Sequence, residues 1–137
     1  MNYLLDTNVI SETRRRNCDA RVKRWIESVG EPDLYLSVVV IGELRQGIER
    51  LRRRDAHQAS LLDFWLSKLK EEFSGRVLGV SLEIAEEWGR INVPDPLPAI
   101  DALLIATARV HDLTIVSRNI RDLGRSWAPV LNPWEKR

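Results

Sequence analysis

Four acidic residues stand where a folded chain can bring chemistry to a surface. Asp6 follows the short apolar run Tyr3 to Leu5, and Glu43 borders the apolar stripe of a helix, one residue before Leu44. Asp101 enters a helix that is apolar almost all round, and Asp122 comes shortly after the run Thr114 to Val116 and the polar triplet Ser117-Arg118-Asn119. Each has an ordinary reading. Asp6 can cap the helix after it, although Thr7 and Asn8 could do the same. Glu43 can be a solvated helix acid near Arg50, and Ser117 to Asp122 can be a turn. Asp101 lies in a first helical turn, where the helix N-terminus stabilises an anion by roughly 0.3 to 1 kcal/mol. Its helix, however, has the composition of a buried one, and a buried carboxylate is costly unless paired, hydrogen-bonded or bound to a cation.

Taken together, four acids at strand ends and at the mouth of a buried helix form one set. Without a cation, clustered carboxylates repel each other. One hard cation explains them better than four independent caps: Mg²⁺ takes a few carboxylates and fills its shell with water and substrate phosphate. Other chemistries lack their residues. The chain has no Walker loop, no dinucleotide glycine fingerprint and no Cys/His spacing for zinc. His57 and His111 fall at a helix junction and a helix end, and no nucleophile elbow accompanies the serines. Cys18 is the single cysteine, which cannot form an intrachain disulfide and fits a reducing compartment.

The elements that must position these acids alternate strand and helix, the pattern of an α/β layer structure with a mostly parallel sheet. Strands are expected at Tyr3 to Leu5, Leu34 to Leu36, Arg76 to Val80 and Thr114 to Val116, with an edge strand at Pro129 to Leu131. Val9 starts a helical turn that breaks up near Arg14 to Asn17. A helix from Ala20 to Val29 carries Val22, Trp25, Ile26 and Val29 on one face. Ser37 caps a helix with the stripe Val40, Leu44, Gly47, Ile48 and Leu51, and Leu61, Leu62, Trp65, Leu69 and Phe73 mark the next; the two form a hairpin. Ser81 caps a helix bearing Ile84, Ala85, Trp88 and Ile91, and Ala99 to Val110 is the apolar helix. In an open parallel sheet, ligands gather outside the carboxyl ends of the strands, which is where Asp6 and Ser117 fall.

The 137 residues are 44% hydrophobic and 30% charged, with 21 Lys+Arg against 20 Asp+Glu. That is the size and apolar content of one domain with its own core, spanning 1–137, and it argues against disorder. A net charge of +1 argues against a uniformly basic nucleic-acid coat. The neutrality conceals segregation: Glu12 to Arg24 and Arg109 to Arg137 are basic, whereas Glu71 to Asp101 is acidic. Basic segments such as Arg14-Arg15-Arg16 can guide a phosphate backbone toward a filled metal socket. No signal peptide or membrane span is legible, so a cytoplasmic location is expected.

The runs Leu-Leu-Asp6-Thr7-Asn8-Val, Ile-Gly-Glu43-Leu-Arg-Gln-Gly, Leu-Pro-Ala-Ile-Asp101-Ala-Leu-Leu-Ile-Ala-Thr-Ala and Ser117-Arg118-Asn119 with Asp122 resemble the PIN-domain ribonucleases. The likeness is greatest to the VapC/FitB-type toxins of bacterial toxin-antitoxin pairs. It spans essentially the whole chain, with Ser117 where threonine is more usual. The resemblance implies a three-layer α/β/α fold and an endoribonuclease dependent on Mg²⁺, with Mn²⁺ as a substitute. Asp6, Glu43, Asp101 and Asp122 would hold the metal, supported by Thr7, Asn8, Ser117 and Asn119. It further implies a homodimer, higher toxin-antitoxin assemblies, silencing by a VapB/FitA-type antitoxin, and operator DNA bound mainly through that antitoxin. Trp25 and Trp65 are candidate interface anchors. The rival readings are a non-catalytic PIN-fold module holding a partner protein or operator DNA, its acids paired with Arg118, Arg121 or Arg45, and a phosphoryl-accepting receiver domain, for which no lysine follows a candidate strand.

Overall fold

The computed structural model describes residues 1–119 and 127–135. Its five described strands are β1 (Tyr3–Leu5), β2 (Leu34–Ser37), β3 (Val77–Leu78), β4 (Thr114–Val116) and β5 (Val130–Leu131). They form one sheet in the order β3-β2-β1-β4-β5, and every pairing is parallel. The helices are α1 (Thr7–Arg14), α2 (Ala20–Val29), α3 (Val38–Arg52), α4 (Ala56–Glu72), α5 (Leu82–Ile91) and α6 (Ala99–His111). With this strand order and the right-handed crossovers that parallel strands adopt, α1 to α4 fall on one face of the sheet and α5 with α6 on the other. This is the three-layer α/β/α arrangement expected.

The strand order turns at β1. From there the chain runs outward to β2 and β3, then crosses back to β4 on the other side of β1. The crevice at such a reversal, outside the carboxyl ends of β1 and β4, is the usual ligand position of an open α/β sheet. Leu5 lies in register with Val116, so Asp6 and Ser117 emerge side by side there. The Asp6 N–H donates to the Val116 carbonyl at 2.9 Å, which carries the ladder up to the first residue of the crevice.

Caps set the helix starts as expected at two places: Ser37 accepts from the Val39 N–H at 3.2 Å, and Ser81 accepts from the Ile84 N–H at 3.1 Å. Asp19 caps α2, and its hydrogen bonds to Arg21 hold its carboxyl down at about 2. α6 buries Ala102, Leu104, Ile105, Ala106, Thr107 and Ala108 and is the most enclosed helix, as its composition demanded. The α3–α4 hairpin forms, and two arginines staple it: Arg45 and Arg52 each bind both Glu49 and Asp63. These ion pairs are exposed to solvent, which screens them, so they orient the hairpin more than they stabilise it.

Several expected faces are rotated. In α4 the buried residues are Ala59, Leu66 and Leu69, followed by Phe73, while Leu61 is exposed and Trp65 half-buried. Gly47 and Ala85 are exposed, and Trp88 is 40% exposed, so none of these three belongs to the packing face of its helix. Trp25 is core, not an interface anchor: it is buried and meets Tyr3 edge-on at 5.0 Å between ring centres. The third strand is shorter than expected, Val77–Leu78 only, and Arg76 just before it serves as a clamp. Its guanidinium donates to the carbonyls of Glu31, Leu34 and Glu72 and stacks on Phe73.

Candidate active site at the carboxyl edge of the sheet

Asp6 ends β1 and caps α1, accepting from the Thr7 N–H at 2.7 Å. Thr7 and Asn8 are therefore inside the helix, and the cap is the acid itself. The cap does not exhaust Asp6. Its other oxygen, Oδ2, accepts from the Ser117 hydroxyl at 2.7 Å and from Asn8 Nδ2 at 3.5 Å. Asn8 Nδ2 also donates to Ser117 Oγ at 3.2 Å, and Ser117 Oγ accepts from the Asn119 N–H at 3.0 Å. Thr7, half-buried beside Asp6, donates its hydroxyl to Glu43 Oε1 at 2.5 Å and so ties the start of α1 to α3. Six of the eight expected site residues, namely Asp6, Thr7, Asn8, Glu43, Ser117 and Asn119, thus share one hydrogen-bonded network.

Asp101 comes from a different element, half-buried in the first turn of α6, a helix that touches α3. α6 returns to β4 through two residues, so its first turn lies toward the same edge of the sheet as Ser117. Asp122 lies outside the described residues. Among the described residues no three His, Cys, Asp or Glu side chains stand close enough to hold one ion together. The described centre is a pair of carboxylates joined through Thr7.

The donor set can still be tested against a hard cation. Asp6 is 7% exposed, and the groups that bind it, one N–H, one hydroxyl and one amide, are all uncharged. Neither Asp6 nor Glu43 forms an ion pair among the described residues, whereas Arg45 is taken up by Glu49 and Asp63. A buried carboxylate oriented by neutral donors and linked through Thr7 to a second carboxylate is suited to oxygen-seeking Mg²⁺ or Mn²⁺.

The PIN domain family profile matches residues 3–125. The chain belongs to the PIN-domain family. Among its relatives, toxin FitB of Neisseria gonorrhoeae is 32% identical, the match covering 96% of this chain and 97% of FitB. The VapC ribonuclease Y4jK of Sinorhizobium fredii is 29% identical, over 96% of this chain and 97% of that protein. A solved structure of FitAB bound to an IR36 DNA fragment superposes with a TM-score of 0.88 at 29% identity, covering 98% of this chain and 97% of that one. These likenesses place this PIN domain among the VapC/FitB toxins.

Around the centre of this PIN domain, the basic segment after α1 is partly committed. Arg15 pairs with Glu12, and Arg14 lies over the Trp65 ring at 5.9 Å. Arg15 and Arg16 nonetheless line a cavity of about 330 Å³ together with Lys23, Cys18 and Glu27. Burial, with Glu12 and Asp19 nearby, pushes the Cys18 thiol up, which disfavours its thiolate. Sequence reasoning missed Glu12, a buried carboxylate that accepts from the Asp19 N–H at 2.8 Å and ties the end of α1 to the start of α2. Its signal was an acid three residues after buried Val9, on the inward face of a helix. Among the described residues, no helix of this PIN domain is long and apolar enough to cross a membrane.

Proposed function

We propose that this protein, as a single domain over 1–137, is the toxin of a toxin-antitoxin pair and a metal-dependent endoribonuclease. The observation that supports this most is Asp6: a nearly buried carboxylate at the topological switch point, oriented by neutral donors and linked through Thr7 to Glu43. Asp6, Glu43 and Asp101 would be the core acids, with Asp6 and Asp101 as direct ligands and Glu43 bound directly or through water, and Asp122 would be the fourth. Bound Mg²⁺ or Mn²⁺ supplies a Lewis acid that activates water and stabilises charge on the scissile phosphate. Ser117 and Asn8 fix the rotamer of Asp6 through Oδ2, and Thr7 fixes Glu43 through Oε1, so neither carboxylate has to reorganise when it binds its ligand. Asn119 holds Ser117 in place through its backbone N–H. Hydrolysis leaves a 5′ phosphate and a 3′ hydroxyl, and the substrate is a structured RNA such as tRNA.

The names of FitB, of the VapC ribonuclease and of the FitAB–DNA complex support a VapB/FitA-type antitoxin as partner and operator DNA as the target of the joint complex. A homodimer and higher toxin-antitoxin assemblies belong to the same reading, as does a cytoplasmic site of action. The rival of a non-catalytic module needs the site acids to be neutralised by arginines. Arg45 is engaged elsewhere, Arg118 forms no ion pair among the described residues, and Arg121 lies outside them.

Growth tests the reading in cells. Expression of the chain alone is expected to arrest a bacterial host with fragmentation of its RNA, and co-expression of a short neighbouring reading frame with a DNA-binding N-terminus to restore growth. Unimpeded growth with intact RNA would contradict it.

A further inference from the structure

The first residue after the Ser117 strand end is Arg118, which combines a stacked guanidinium with a backbone tie to the Asp6 network. Arg45, Arg52, Arg90 and Arg109 are all paired with acids, and Arg76 is spent on backbone carbonyls. Arg118 is exposed and forms no ion pair among the described residues, yet it is held at two points. Its N–H donates to Asn8 Oδ1 at 3.3 Å, and Asn8 is the residue whose amide binds both Asp6 and Ser117. Its guanidinium lies over the ring of Trp134, 5.0 Å from the centroid. Trp134 is itself buried, and its N–H is fixed on Asn132 Oδ1 at 2.9 Å just beyond β5.

A guanidinium stacked on a fixed ring keeps its orientation while its edge donors remain open to a ligand, and planar phosphate recognition uses that edge. We propose that Arg118, on its Trp134 platform, binds an RNA backbone phosphate flanking the bond that is cut, on the β5 side of the Asp6 centre. This rests on the nuclease reading for the identity of the ligand, and it adds a substrate-binding residue outside the acid set. The interaction forms with the substrate in the ground state as well as during reaction, so removing it acts on binding more than on turnover.

The test uses the full chain freed of partners and a short, end-labelled RNA hairpin with a single-stranded loop. Binding is measured in EDTA across a salt series, and steady-state cleavage with Mn²⁺. In Arg118→Ala, binding is expected to weaken about tenfold. The slope of log affinity against log salt should become shallower by about 0.7, the value for one fewer phosphate neutralised on a single strand. KM should rise with kcat close to wild type. Arg118→Lys should keep the salt slope, since the charge remains, and lose part of the affinity with the fork. An unchanged slope and KM in Arg118→Ala would overturn the assignment. So would a fall in melting temperature and kcat with the slope unchanged, the mark of a merely structural residue. The arm in EDTA is scored without any cleavage. A wild type that binds the oligonucleotide but cuts no RNA would defeat the nuclease reading while the slope still decides on Arg118, and a wild type that does not bind would overturn Arg118 as well.

Discussion

Replacing Asp6 with asparagine is expected to reduce RNA cleavage by about a thousandfold or more while leaving the protein folded, at a cost in stability of about one hydrogen bond. The substitution is nearly isosteric, and asparagine is as good a helix cap as aspartate, so the bond from the Thr7 N–H survives. On the other side the fit is worse: the Ser117 oxygen already accepts from Asn8 Nδ2 and the Asn119 N–H, so the new amide competes with those donors and about one hydrogen bond is lost. What disappears is a negative charge, 7% exposed and without an ion-pair partner among the described residues. Removing such a charge does not weaken an apo fold, and it relieves repulsion from Glu43. A residue that served only as a cap would show no loss of activity. Denaturant midpoints and initial cleavage rates on the same preparations separate the two roles.

The second large effect is expected at Glu43. In Glu43→Gln the side-chain carbonyl can still accept from Thr7, so packing is kept and only charge is removed. Cleavage should fall by about a hundredfold. Thr7→Val keeps the charge and removes the hydroxyl that orients it, and the expected loss is about tenfold. If Thr7 acts through Glu43, the double variant should be no slower than Glu43→Gln alone, because the orienting bond has nothing left to orient. Additive losses in rate would separate the two residues and break the described centre into independent parts.

Much of this centre was legible before any coordinates, for a physical reason. Strand ends and helix entries follow from short-range patterns, and the apolar triplet Tyr3–Leu5 followed by an acid already fixes where Asp6 emerges. Ser37 and Ser81 are visible as caps because capping is local. The faces of α4 and α5 were harder. Leu61 and Trp88 fit an apolar period yet remain exposed, since periodicity counts apolar residues without saying which of two possible stripes the neighbouring helix covers. Trp25 shows the reverse, an aromatic suited to an interface that is consumed by Tyr3 inside the core. Glu12 and Trp134 were invisible as supports because their neighbours depend on tertiary arrangement. One ties two helices across a loop, and the other meets Arg118 only because β5 pairs beside β4.

Four acids read as one cluster along the chain; two are joined through Thr7, Asp101 sits on a neighbouring helix, and Asp122 lies outside the described residues. The central claim is that the Asp6–Glu43 pair is a divalent-cation centre. Anomalous diffraction from crystals of the protein soaked with Mn²⁺ tests it most directly. The expected result is a peak bonded to an Asp6 carboxylate oxygen, with Glu43 bound directly or through water, that vanishes in Asp6→Asn crystals. Mn²⁺ bound only elsewhere, or a peak that persists unchanged in Asp6→Asn, would contradict it.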